Sequence, residues 1–237
     1  MAKIVLHGVE DAVPEHQLKY KHVLETTKAV FEEAFELYNE PGFHKFENWK
    51  KEAQTDTAIV HTRHSSLGKL FALRAHFPWH LEKVFEEQWA GLDQVAEWNE
   101  NIVFSSTLRK LTDHVDVVHY ANKDVYMVKS RDYVVGRIWR QVGNDYYLIA
   151  RSVDVPELPE TKDRVRATIH MGAGRFRIHP NNPNHTQVDL ILSIDFGGLI
   201  PKSIINTVMG KLLIKDYEET KKRMEDLKNK EKKKLPN

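Results

Sequence analysis

Apolar residues recur at Leu18, Val23, Val30, Phe31, Ala34, Phe35 and Leu37, a spacing that predicts an amphipathic helix over 15–38, closed by Pro41-Gly42. From Phe43 the period shortens. FENWKKE, TAIVHTRH and KLFALRAHF read as strands, and Pro78 then opens a second helix, WHLEKVFEEQWAGLDQVAEW, with Leu81, Val84, Phe85 and Trp89 on one face. Strand-like runs follow: NIVFSSTLRKL, VDVVHYAN, VYMVKSRDYVVGRIWRQV, NDYYLIARSV, VRATIHMGAGRFRIHP and TQVDLILSIDF. A last helix is expected from Pro201 to about Lys228, with Ile204, Ile205, Val208, Met209 and Leu212 at helical spacing.

The order helix, strands, helix, many strands, long helix is an α+β pattern, and the short connections favour antiparallel pairing. Neither an internal repeat nor a low-complexity linker divides the chain. We therefore expect one domain over 15–228, an extension over 1–14 and a basic polar tail over 229–237.

Composition narrows the function. The 237 residues carry 35 Lys+Arg against 34 Asp+Glu, so no global field points to nucleic acid. There is no cysteine, which excludes thiolate nucleophiles, disulfides and cysteine-held zinc, and fits a reducing, cytoplasmic setting. No apolar run reaches the roughly 18 residues of a membrane helix, and the opening MAKIVLHGVED is too short an apolar run for a signal peptide. His61-x-x-His64 lies in a strand-like stretch and His76 and His80 flank a proline, so neither pair has helical metal-ligand geometry and no metal is expected. Phosphate loops and Gly-x-Ser-x-Gly elbows are likewise missing.

Four segments in order, EWNENI, SRDYV, VPELPETKDRVRA and LSIDFGGLIPKSIIN, resemble the START lipid-transfer family, most closely the branch of the steroidogenic acute regulatory protein, its endosomal relative and the insect carotenoid-binding protein. The resemblance runs from about Leu18 to Met224. It implies a helix-grip fold: a curved antiparallel sheet closed by a long C-terminal helix over an internal apolar tunnel that holds one lipid. In that frame Asp195 ends the last strand, Gly197-Gly198 permits a tight reversal, and Pro201 starts the helix whose stripe faces the tunnel.

Strand alternation puts Tyr133, Val135 and Arg137 on one face, and Asp116, Val118 and Tyr120 on one face of the preceding strand. The resemblance implies that Arg137 points into the tunnel and pairs with an acid on a neighbouring strand, offering a polar end to a ligand hydroxyl. Here the chain departs from the family: alignment on His119 puts Tyr120 where the sterol carriers have their acid, leaving Asp116 or Tyr120 as the partner. His170 lies near a family pocket histidine, or is a satisfied core or surface histidine. Trp98 lines the tunnel or caps the second helix. Arg131-Asp132 reads as a structural pair. Phe196, Leu199 and Ile200 form a gate at the mouth, or apolar plugs on a loop.

The expected function is non-catalytic binding and transport of one hydrophobic small molecule, a sterol or a carotenoid, with transient membrane contact and no enzymatic cofactor. The alternatives are a carotenoid-binding pigment protein rather than a sterol carrier and, further off, a helix-grip hydrolase. A hydrolase would need an acid and a base in the cavity, and alternation sends His119 to the face opposite Asp116 and Tyr120.

Overall fold

The computed structural model describes residues 1–124, 129–198 and 200–234, with the backbone alone at 202–204, 206, 207 and 231–234. A hairpin of β1 (Ala2–Leu6) and β2 (Val9–Val13) precedes α1 (Lys21–Tyr38), which a single tight turn of helix at Glu15–Tyr20 introduces. Then come β3 (Lys50–Gln54), β4 (Ala58–Ser65), β5 (Gly68–Phe77), α2 (Leu81–Ala90) and the short α3 (Val95–Trp98). Seven further strands follow: β6 (Ile102–Lys110), β7 (Val115–Asn122), β8 (Arg131–Val142), β9 (Asp145–Ser152), β10 (Val165–Arg166), β11 (Thr168–His179) and β12 (Asn182–Asp195). The chain ends in α4 (Lys202–Lys234).

The large sheet runs β3-β4-β5-β12-β11-β9-β8-β7-β6, antiparallel at every step, with β10 added parallel to the start of β8. It is the curved sheet of a helix-grip fold, and its two faces carry different covers. On the convex side Val117, Val134, Ile138, Ile149, Ala173 and Ile191 pack with Val23, Val30 and Phe31 of α1. On the concave side Phe71, Leu73, Phe77 and Phe176 pack with Leu81, Val84 and Phe85 of α2 and with Met209, Leu213, Tyr217 and Met224 of α4. A smaller inner cluster, Val118, Tyr133, Val135, Ala167 and Ile169, lies beside it.

Three elements differ from the sequence expectation. The segment 1–14, expected as an extension, is a hairpin whose His7-Gly8 turn has both residues at positive φ, 48° and 79°, as a two-residue hairpin turn requires. Its Ala2, Ile4, Leu6 and Val13 join the convex core, and its Asp11 meets Arg140 of β8 in an ion pair at 1% exposure on both sides. FENWKKE does not start a strand: Gly42, Phe46 and Asn48 take left-handed backbone, folding Phe43, Phe46 and Trp49 into an aromatic knot against Tyr38, and β3 begins at Lys50. The last helix runs on to Lys234, into the segment expected as a tail. The strand proposed from Val125 is seen from Arg131, and Val125 to Val128 lie outside the described residues.

A second buried polar knot ties α1 to the sheet. Asp189, at 1% side-chain exposure, accepts from Arg74 Nε (2.5 Å) and Arg175 Nη2 (2.7 Å), and Arg177 Nη2 lies 3.4 Å away. The hydroxyl of Tyr38 of α1 shares its one proton between the carbonyls of Ala173 (2.8 Å) and Asp189 (2.9 Å).

Gly136 of β8 is the contact point for α1. A Cβ there would stand 2.8 Å from Val23 Cγ1 and 2.9 Å from Thr27 Cγ2, inside any tolerated carbon contact. Gly136→Val is expected to push α1 off the sheet and cost about 1–3 kcal/mol, read as a lower urea midpoint. An unchanged midpoint would mean that this face of α1 is not seated as described.

Candidate ligand site on the concave face

Alternation along β8 and β7 places the expected residues as pairs. Asp116 lies opposite Arg137, Val118 opposite Val135 and Tyr120 opposite Tyr133. Val118, Tyr133 and Val135 form the inner cluster, with Tyr120 packed against it. Tyr120 and Tyr133 stack at 4.7 Å between ring centres. Burial pushes both phenols well up, so each stays a neutral hydroxyl.

The partner of Arg137 is Asp116, not Tyr120. Arg137 Nε donates to Asp116 Oδ1 (2.9 Å) and Nη2 to Oδ2 (2.6 Å), a two-point bridge with side chains at 7% and 6% exposure. Two further donors reach α2: Nη2 to the Trp89 carbonyl (3.0 Å) and Nη1 to that of Gln88 (3.4 Å). Those carbonyls belong to the last turn of α2, where an otherwise unbonded C=O and the negative end of the helix dipole both favour a cation. The Trp89 ring covers the guanidinium at 4.5 Å. Burial pushes the Asp116 carboxyl up, against the pull of Arg137. Arg137 thus spends its hydrogen bonds on the protein, closing this end of the concave face.

Next to it lies a cavity of about 200 Å³ between α2, α3, β6, β7 and α4. Leu92, Val95 and Ile102 supply its apolar wall, and Trp98, Ser105, Tyr120 and Asp216 bring polar atoms. Trp98 therefore lines the cavity. Its Nε1–H is buried with no hydrogen-bond partner. The Asp216 carboxylate accepts from Asn101 Nδ2 (3.3 Å) and from the Asn99 side chain. Asp216 keeps a large accessible surface, yet burial pushes its carboxyl up. Those two facts agree if that surface faces the cavity rather than bulk water.

The START domain family matches residues 29–230, the span that holds the large sheet, its helices and this cavity. The chain belongs to the START domain family. A Caenorhabditis elegans relative, Steroidogenic acute regulatory-like protein 1, is 34% identical over 229 residues, 96% of this chain and 88% of its own. The human mitochondrial steroidogenic acute regulatory protein is 29% identical over 185 residues, 76% of this chain but 64% of its own length, less than two thirds. Of solved structures, human StAR-related lipid transfer protein 5 superposes with TM-score 0.77 at 18% identity, over 88% of this chain and 99% of that one. Human STARD10 gives 0.69 at 20%, over 84% of each chain. At these identities the structures speak for the fold.

The START domain's closing helix presents a different phase from the one expected. Among the described residues Met209, Leu213, Tyr217 and Met224 are its buried large side chains, and Tyr217 anchors it by donating to the His76 carbonyl (2.6 Å). Ile205 and Leu212 pack at the border of the concave core, Val208 is half-buried, and the side chain of Ile204 lies outside the described residues. The loop before α4 is built as expected: β12 ends at Asp195, whose Oδ1 accepts from Gly197 N (2.8 Å), and Gly197 and Gly198 have φ of 62° and 69°. Phe196 packs on the concave core and its carbonyl accepts from Arg131 Nε (3.1 Å). Ile200 is half-buried, and Leu199 lies outside the described residues.

Arg131 and Asp132 do not pair with each other. Asp132 accepts from Arg166 Nε (3.0 Å) and Nη2 (2.8 Å) and lies 3.0 Å from His119 Nε2, which takes His119 away from Asp116 and Tyr120. His170 sits at a β-bulge between Ile169 of the inner cluster and Met171 of the convex core, and its carbonyl accepts from Arg151 Nε (2.6 Å). Asp216, Asn99, Leu92 and Ile102 were missed as site residues. Asp216 had a readable signal: it falls four residues after Leu212 and three after Leu213, on the apolar side of an otherwise charged helix.

Proposed function

We propose that this START domain is a non-catalytic carrier of one apolar isoprenoid lipid, a sterol or a carotenoid, held between the concave face of the sheet and α4. The observation that carries the reading is the concave face itself: apolar side chains of β4, β5 and β11 share one core with the buried stripe of α4, the apolar cluster of β7 and β8 lies beside that core, and the Arg137–Asp116 bridge stands at one end. The 34% identity to Steroidogenic acute regulatory-like protein 1 over nearly the whole chain supports a lipid of that class. Burying a sterol removes roughly 400–600 Å² of apolar surface from water, order 10 kcal/mol gross at about 25 cal/mol per Å² before the costs of binding. Hydrophobic burial suffices for affinity, so choice among ligands falls to the polar end.

In this reading Val118, Tyr133, Val135, Met209 and Leu212 flank the lipid body, with Ile205, Val208 and Phe196 nearer the entrance. The Arg137–Asp116 bridge and Trp98 bound the far end. Loading takes place by transient contact with a membrane from the cytoplasm. A Tyr120 in place of the acid would set the polar end apart from that of the sterol carriers; with Asp116 paired to Arg137 an acid is present there, and neither ligand class is ranked above the other. The test is reconstitution with cholesterol and, separately, with a carotenoid, followed by gel filtration, extraction and mass spectrometry. One ligand per chain is expected, and a visible absorbance band separates the pigment from the sterol carrier. A chain that takes up neither would sink the reading.

A further inference from the structure

Resting on the carrier reading, we propose that the cavity between α3, β7 and α4 is a hydroxyl-reading subsite, in which Asp216 and Tyr120 bind the terminal hydroxyl of the lipid and so set its selectivity. At about 200 Å³ the cavity is smaller than the ~300–1,000 Å³ of a pocket that encloses a whole drug-sized ligand, so it takes one end of a longer molecule. It adjoins the inner cluster through Tyr120, which packs on Val118, Tyr133 and Val135 and also lines the cavity. A lipid lying along that cluster therefore puts its end here.

The polar groups of the cavity define what that end is. Asp216 brings acceptor oxygens on the inner side of α4, flanked by Asn99 and Asn101. Tyr120 brings a hydroxyl that makes no hydrogen bond among the described residues, and the indole N–H of Trp98 in the same wall has no partner. A ligand ammonium would satisfy the carboxylate and offer nothing to the indole donor. A ligand ketone would satisfy donors and add nothing at the carboxylate beyond the amides of Asn99 and Asn101. A hydroxyl does both, donating to Asp216 and accepting from Tyr120 or Trp98. Arg137 commits four of its five N–H donors to Asp116 and the end of α2, which leaves it a weaker claim on the hydroxyl than the cavity groups.

The test compares ligands that differ only in the hydroxyl: cholesterol against 5α-cholestane, and zeaxanthin against β-carotene, with wild-type protein, Asp216→Leu, Asp216→Asn and Tyr120→Phe. Wild type is expected to prefer the hydroxylated member of the pair it accepts by about tenfold to a hundredfold. Asp216→Leu should erase the preference while keeping affinity for the hydrocarbon, and Asp216→Asn should retain part of it. Tyr120→Phe, which deletes one oxygen from a site that stays packed, should lower the preference without changing the melting temperature. If wild type binds both members equally, or if Asp216→Leu and Tyr120→Phe both leave the preference intact, the subsite is overturned and the carrier reading stands. If wild type binds no member of either pair, both fall together.

Discussion

Asp189→Ala is expected to cost about 3–5 kcal/mol, because it strands buried guanidiniums rather than deleting one contact. The carboxylate, at 1% exposure, holds Arg74 at 2.5 Å and Arg175 at 2.7 Å, with Arg177 at 3.4 Å. Without it three cations face one another across the β5-β12-β11 register, and Arg175 is 7% exposed. In a chain of this length the loss should appear as a fall of roughly 6–20 °C in Tm. The pH dependence follows from the same geometry. Burial pushes the Asp189 carboxyl up, but Arg74, Arg175 and Arg177 more than cancel that and hold it below the usual carboxylate range. A depressed folded pKa gives stability that is present above the unfolded value, about 3.9, and is lost as pH falls through the folded one. Asp189→Asn should therefore be less stable than wild type at pH 7 and show a smaller further loss on acidification below about pH 4. Equal midpoints at pH 7 would show that the arginines are solvated in solution.

What could be read from the chain follows from where side-chain period and tertiary contact agree. The alternation Tyr133-Val135-Arg137 against Val134-Gly136-Ile138 reads directly, since β8 is covered by different elements on its two faces and each residue goes where its chemistry fits. The partner of Arg137 was half legible. Alignment on His119 assigns the acid position to Tyr120, but pairing is set by the register across β7 and β8, which puts Asp116 opposite Arg137. The hairpin β1–β2 was missed because its inward pattern is broken by Asp11, a charge buried only because Arg140, 129 positions away, receives it. Left-handed backbone suits Asn48 but cannot be inferred for Phe46, a residue type that rarely adopts it, so the aromatic knot was read as a strand.

The closing helix shows the same limit at the site. Ile204, Ile205, Val208, Met209 and Leu212 form one acceptable stripe, while Met209, Leu213, Tyr217 and Met224 form another, turned by a fraction of a residue. Periodicity identifies the helix but not its rotation, which here is fixed by Tyr217 reaching the His76 carbonyl and by Gly210 passing 3.5 Å, at its missing Cβ, from Ala53 Cβ. That rotation is what turns Asp216 from a charge on a charged helix into a wall of the cavity.

Asp116→Ala should be the second severe variant, and its rescue is the more informative measurement. Removing the carboxylate leaves Arg137 with two helix-end carbonyls and no counter-charge at 7% exposure, a loss of about 3–5 kcal/mol. The bridge itself is not a strong net stabiliser, since burial already pushes the Asp116 carboxyl up against the pull of Arg137. Replacing both partners by apolar residues of similar volume, Asp116→Leu with Arg137→Met, is therefore expected to recover most of the loss. The double variant also separates two roles for the arginine. If Arg137 only closes the end of the concave face, the double variant should take up hydrocarbon and hydroxylated ligands as wild type does. If a lipid hydroxyl rests on the guanidinium, it should keep 5α-cholestane and lose its preference for cholesterol, while Asp216→Leu would leave that preference in place. Denaturant midpoints for the four corners of the cycle, with cholesterol and 5α-cholestane affinities for wild type and the double variant, decide between a wall and a recognition group.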